Sequence, residues 1–216
     1  MSKADKKDGR KNDKQPIVSG ASLVPASQPV AAARSAPLPG QAALTDVRTL
    51  RERARRSIDD GAITETYTAD RKEVLRLLNE ALATEWVCVL RYYRHYFMAS
   101  GMLADSVKAE FLEHAQQELE HANMISERIV QLGGEPDLDP STLAGRSHAE
   151  YRPGHDLRDM VKEDLIAERI AIDSYREMIN HIGDRDTTTK RILEHVLAQE
   201  EEHADDMADL LDGWVG

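Results

Sequence analysis

The chain has one cysteine, Cys88, in 216 residues. That excludes an internal disulfide and any CxxC metal site, and it fits a reducing cytoplasm. Aromatic residues make up only 5% of the chain, with two Phe and two Trp. Such a composition, with 31% charged residues, suits a helical protein better than a sheet protein. No run of eighteen apolar residues occurs, so no membrane-spanning helix is expected. The N-terminus carries lysines but no apolar stretch of signal-peptide length. The segment PVAAARSAPLPG is short, contains Arg34 and is broken by prolines.

The formal net charge is −11, unevenly spread. Residues 1–60 hold 12 Lys and Arg against 7 Asp and Glu, a balance of +5, so the remainder holds 16 against 32, a balance of −16. A mildly basic arm thus precedes an acidic body. An acidic body disfavours binding nucleic acid and suits cations.

The arm has no core to offer. Residues 1–14 lack any large apolar residue after Met1, and residues 15–45 are rich in Ala, Pro, Ser and Gly. Residues 1–45 are expected to be a disordered tail. Residues 46–68 read as a short helix over 46–60, with Val47, Leu50 and Ala54 on one side and five arginines, then an extended ITETYT linker. Residues 69–212 read as four long helices. The first opens at Asp70, with Glu73 at capping-box spacing, and runs to about Ala99. The second spans about Asp105 to Gly133, the third Asp156 to Gly183, and the fourth ends near Leu211. Short turns join the first pair and the second pair. A long connection, residues 133–155, lies between the pairs and is expected to cross the bundle so that the second and third helices run parallel.

Each helix carries an apolar stripe interrupted by ionisable residues. Glu85 interrupts the first, between Leu82 and Val89. Glu118 and His121 interrupt the second, one turn apart on the same face as Phe111, His114 and Ile125. Glu168 interrupts the third, and Glu200 with His203 the fourth. A buried ionised carboxylate is costly unless paired or metal-bound. The two helix pairs repeat the same marks. Glu85 precedes Glu118 by 33 residues and Glu168 precedes Glu200 by 32, and each first-helix Glu has a Tyr seven residues on, Tyr92 and Tyr175. One Glu-x-x-His alone reads more plainly as a solvated helix face. Two of them, with two lone Glu on facing stripes, supply four carboxylates and two imidazoles. Hard oxygen donors with imidazole suit iron or manganese. A structural zinc usually takes four ligands, often Cys.

This pattern resembles the ferritin-like superfamily, and within it bacterioferritin. The resemblance covers about residues 72–211 and is closest around NEALATEWVCVLRYYRHY, QQELEHANMISERIVQLGGEPDL, EDLIAERIAIDSYREM and AQEEEHADDM. It implies an all-α, ferritin-like four-helix bundle. It implies Glu85 and Glu168 as terminal ligands, Glu118 and Glu200 as bridges, and His121 and His203 completing two iron sites per subunit. Tyr92 matches a tyrosine beside such a centre. Leu119 stands where bacterioferritins carry a haem-ligating Met, so no haem is expected. Their inner-surface His and Asp correspond to Glu113 and Gln117. No fifth helix follows the bundle, which resembles the twelve-subunit Dps-type mini-ferritins, although their inter-subunit motif is not found. A homo-oligomer of twelve rather than twenty-four chains is expected.

The implied function is iron storage and detoxification, with Fe(II) oxidised to Fe(III) by O2 or H2O2 and the mineral kept inside the shell. Alternatives are a Dps-type DNA-binding protein of oxidative stress, associated with the nucleoid, a rubrerythrin-like peroxidase and a manganese catalase. Against the peroxidase, Ala171 stands where rubrerythrins carry an extra Glu. The lysine-bearing tail reads either as a DNA anchor or as a solubilising segment. His114 reads as a satisfied core histidine or as a transient iron site, Tyr175 as a core aromatic, and Cys88 as a small buried hydrophobe.

Overall fold

The computed structural model describes residues 44–101 and 103–214. The expected tail therefore lies outside the described residues, except for its last two positions. Among the described residues there are six α-helices and no strand: α1 (Val47–Arg53), α2 (Arg71–Met98), α3 (Ala104–Gln131), α4 (Leu143–Arg146), α5 (Leu157–Ile182) and α6 (Thr187–Asp212). None is long and apolar enough to cross a membrane.

Three of the four long helices, α2, α5 and α6, start at aspartate caps. The Asp70 carboxylate accepts from the Lys72 and Glu73 amides at 3.0 and 3.2 Å and caps α2. Asp156 and Asp186 cap α5 and α6 in the same way. Gly133, at φ 69°, turns the chain after α3, a conformation that favours glycine.

Pairing across the bundle fixes the topology. Tyr92 of α2 reaches Glu168 of α5, and Tyr175 of α5 reaches Glu85 of α2. Residue number rises along one helix as it falls along the other, so α2 and α5 are antiparallel. His121 with Gln199, and Gln117 with His203, show the same for α3 and α6. With the hairpins α2–α3 and α5–α6, α3 and α5 run parallel, as the long crossover requires. Apolar clusters fill both ends of the bundle. Leu78, Leu82, Ile125, Ile129, Ile182 and Leu193 form one, and Phe111, Val107, Val161 and Met207 belong to the other. The ionisable residues of the four stripes lie between them.

Two segments differ from expectation. The first helix ends at Arg53 rather than near residue 60, and a 3-10 turn follows at Ile58–Asp60. None of its residues is buried, with Val47 and Leu50 about half exposed. It has no packed face to extend it, and Ser57 at φ 47° breaks the chain direction. ITETYT is a turn, closed by the Tyr67 amide on the Thr64 carbonyl at 2.9 Å, and the Tyr67 hydroxyl donates to Asp186 at 2.9 Å. The crossover also holds the short α4. There Arg146 donates to the Asn79 and Asp137 carbonyls at 2.9 and 2.8 Å, tying the link to α2.

Candidate metal centre

Four helices deliver six ionisable side chains to one buried point. Glu85, Glu118, His121, Glu168, Glu200 and His203 are each at most 1% exposed. Their donor atoms fall into two overlapping groups. Glu85, Glu118, His121 and Glu200 can face one cation, and Glu118, Glu168, Glu200 and His203 a second. Glu118 and Glu200 belong to both groups, which is the geometry a pair of bridging carboxylates needs. The expected six residues are thus brought together.

The hydrogen bonding around this point is incomplete in a telling way. Both oxygens of Glu118, both of Glu200, one of Glu168 and Nδ1 of His203 are buried with no hydrogen-bond partner. Native proteins leave very few buried polar atoms unpaired. Here the six orphans converge. His121 Nδ1 lies 3.1 Å from Glu200, 3.2 Å from Glu85 and 3.4 Å from Glu118. His203 Nδ1 lies 3.4 Å from both Glu118 and Glu200. One ring nitrogen can serve only one carboxylate as a donor, whereas a cation serves several at once.

Neighbours set the orientation of each donor. His121 Nε2 meets Gln199 Oε1 at 2.9 Å, and His203 Nε2 meets Gln117 Oε1 at 2.7 Å. An amide oxygen only accepts, so Nε2 carries the proton and Nδ1 faces the carboxylates. Sequence reasoning missed these glutamines. Their signal is the repeated Gln-Glu-x-x-His, each Gln directly preceding a Glu shared by both donor groups. The tyrosines act crosswise. Tyr92 donates to Glu168 Oε1 at 2.5 Å, and Tyr175 donates to Glu85 Oε1. Tyr175 is a core aromatic satisfied by a hydrogen bond, and the partner is a carboxylate of the cluster, as for Tyr92.

Charge balances within the cluster. Burial, followed by repulsion from Glu118 and Glu200, raises the pKa of both Glu85 and Glu168 well above the usual carboxylate range. Burial would raise Glu118 and Glu200 too, but the two imidazoles beside them outweigh it and hold both low. Burial lowers His203, yet Glu118 and Glu200 outweigh that and hold it up at about 11; His121 is raised further by the same kind of contacts. Two carboxylates thus face two imidazolium rings. Beside them, burial and then His203 push His114 down to about 4, so its ring is neutral at pH 7.

A second buried network adjoins one half of the centre. Asp164 accepts from Arg91 Nε and pairs with His95 Nδ1, both at 2.7 Å, and all three residues are fully buried. In the repeat the counterparts of Arg91 and Asp164 are Ser174 and Ala81, so only one half carries this network. Cys88 is buried with Arg91 beside it, 3.6 Å from Sγ.

A model of the ferritin-like domain matches residues 75–214. The chain belongs to the ferritin-like family. Among its ferritin-like relatives, bacterioferritin of Mycobacterium avium is 32% identical over 138 residues, covering 62% of this chain and 80% of that protein. A nutrient stress-induced DNA-binding protein of Synechococcus is 30% identical over 149 residues, covering 67% and 84%. A solved dodecameric thioferritin, the bacterioferritin-related protein from Bacteroides fragilis, is similar at 35% identity and a TM-score of 0.65, over 67% of this chain and 87% of that one. Dps from Thermosynechococcus elongatus shares the ferritin-like fold at 19% identity and a TM-score of 0.64, over 67% and 96%.

Proposed function

We propose that the buried cluster is a two-iron ferroxidase centre. Iron storage is the wider role that the bacterioferritin relatives and the thioferritin neighbour support. The observation that carries the proposal is the convergence of five unpartnered carboxylate oxygens and one unpartnered ring nitrogen on a single buried point. Iron is the substrate. Glu85 and Glu168 are terminal ligands, Glu118 and Glu200 bridges, and His121 and His203 the nitrogen donors. Two Fe(II) give one electron each, and the pair reduces O2 to H2O2, or H2O2 to water, with two protons consumed. Holding the two ions on shared carboxylates lets both electrons leave together. Tyr92 and Tyr175 keep Glu168 and Glu85 aimed inward, and Gln117 and Gln199 keep each Nδ1 turned to the metals. Stopped-flow oxidation tests this: with O2 or with H2O2, the fast phase should saturate at two Fe(II) per chain. No saturable fast phase would refute it.

The charge balance gives a pH dependence. Two divalent cations bring four positive charges. The cluster stays neutral if both imidazoliums and the two raised carboxyls lose their protons. Loading at pH 7 is expected to release between two and four protons per chain, about two from the rings and the rest from Glu85 and Glu168. Affinity therefore falls as pH falls, because protons compete for the same atoms. Calorimetry in buffers of different ionisation enthalpy measures the number; zero would contradict the balance.

The ferric product is stored within a closed homo-oligomer, and the dodecameric neighbour supports twelve chains. Exposed Leu90, Phe97, Met98 and Val130 supply apolar surface for such contacts. A second reading, DNA protection, is favoured by the DNA-binding Synechococcus relative and by six Lys and Arg against three Asp in residues 1–14. A low-salt gel shift should then be lost on removing residues 1–45, and equal shifts with and without them would exclude the tail as anchor.

A further inference from the structure

The internal repeat matches the two halves of the centre residue for residue. Glu85 and His121, with Tyr175 and Gln199 behind them, face one cation position. Glu168 and His203, with Tyr92 and Gln117 behind them, face the other. The distances do not match. His121 Nδ1 lies 3.2 Å from Glu85 Oε2, whereas His203 Nδ1 lies 3.9 Å from Glu168 Oε2. Both Glu85 oxygens have hydrogen-bond partners, in Tyr175 and His121. Glu168 Oε2 and His203 Nδ1 have none. One half is closed and the other is spread.

Arg91 lies on the spread half. Its Nε donates to Asp164 at 2.7 Å and its Nη1 to the Glu150 carbonyl at 3.4 Å. Nη2 is left 3.6 Å from Cys88 Sγ and 4.0 Å from Glu168 Oε1. The Asp164 oxygens are both spent elsewhere, Oδ1 on Arg91 Nε and Oδ2 on His95 Nδ1. The ion pair therefore turns its positive end to Glu168. Arg91, Asp164 and Glu168 are fully buried, where salt and water screen charge little. The same offset that carries Glu85 onto Glu168 carries Arg91 and His95 onto Ser174 and Met178, and Asp164 back onto Ala81. The closed half thus has no such cation behind its terminal carboxylate.

Arg91 weakens its half in two ways. It draws the Glu168 carboxylate back from His203, and its charge lowers what that carboxylate can give to a cation. We propose, on the two-metal reading of the cluster, that Arg91 is a positioning residue that ranks the two positions. The centre fills first at Glu85 and His121, and it gives up an ion first at Glu168 and His203.

The test uses Co2+, whose anomalous scattering gives the occupancy of each position. In crystals grown from metal-free full chain with one Co2+ per chain, the Glu85–His121 peak should exceed the Glu168–His203 peak about 10-fold or more, since an outer partner of a metal ligand shifts affinity about 10–100-fold. Repulsion between two cations cannot imitate this, because it acts on both positions equally. The Arg91→Met/Asp164→Leu double variant should bring the two peaks close to equal. In solution, the ratio of the first to the second Co2+ binding constant should fall about 10-fold in that variant. A general loosening of the bundle would weaken both positions and leave their ratio alone. Equal peaks in the wild type, or the opposite order, overturn the ranking whether or not the double variant folds. An order that persists in the double variant overturns Arg91 as its cause. Fewer than two peaks with excess Co2+ overturn the two-metal reading itself, and the ranking with it.

Discussion

Glu118→Ala is expected to lower the fast phase of Fe(II) oxidation by at least about 100-fold while leaving the four long helices folded. Changing a mere neighbour of a metal ligand costs about 10–100-fold in affinity or activity, and Glu118 belongs to both donor groups. Its loss removes a contact to each ion and the bridge between them. Folding should survive because neither Glu118 oxygen has a hydrogen-bond partner in the bundle. Both imidazoles also retain Glu200, at 3.1 and 3.4 Å. Stopped-flow absorbance at two Fe(II) per chain and far-UV circular dichroism report the two halves of the prediction. An undiminished fast phase would remove Glu118 from the centre. Lost helicity would show instead that the carboxylate holds the bundle together.

Asp164→Ala is expected to destabilise the cation-free protein by about 3–5 kcal/mol, the cost of leaving one partner of a buried ion pair uncompensated. Arg91 would keep Glu168, 4.0 Å away, as its nearest carboxylate. That contact would draw Glu168 away from its place in the centre, so oxidation should slow as well. The network also fixes the end of the crossover. His95 Nε2 meets the Arg152 and Pro153 carbonyls at 3.2 and 3.1 Å, and Arg91 donates to the Glu150 carbonyl at 3.4 Å. Replacing both charged partners, as in Arg91→Met/Asp164→Leu, should recover much of the loss, because an apolar pair leaves no buried charge. Urea denaturation with chelator present, at matched protein concentration, measures both. A change below about 1 kcal/mol for Asp164→Ala would show that water or Glu168 compensates Arg91.

The bundle was legible because its periodicity is strong and its exceptions are chemical. Carboxylates at Glu85, Glu118, Glu168 and Glu200 on apolar stripes made little sense as surface residues, and all four are buried. The Asp70 cap, with Glu73 at capping-box spacing, marked the start of α2 from local chemistry alone. The long crossover implied parallel α3 and α5, and the cross-bundle pairs require it. What was hidden depends on contacts between distant positions. Gln117 and Gln199 look like surface residues until the opposite helix places a histidine beside them. Arg91 and Asp164 are 73 positions apart, and no periodic pattern links them. Tyr175 lies on a stripe, but only the packed structure shows its hydroxyl on Glu85. The short helix at the start of the described residues was read too long, since arginine-rich propensity cannot substitute for a buried face.

Crystals of the full chain soaked with Fe(II) without oxidant, with diffraction recorded on both sides of the iron absorption edge, test the two-iron centre most directly. The expected result is two anomalous peaks per chain inside the bundle, about 3.5–4 Å apart, each touching both Glu118 and Glu200, with His121 on one and His203 on the other. A single peak, or peaks that leave Glu118 and Glu200 untouched, would contradict it.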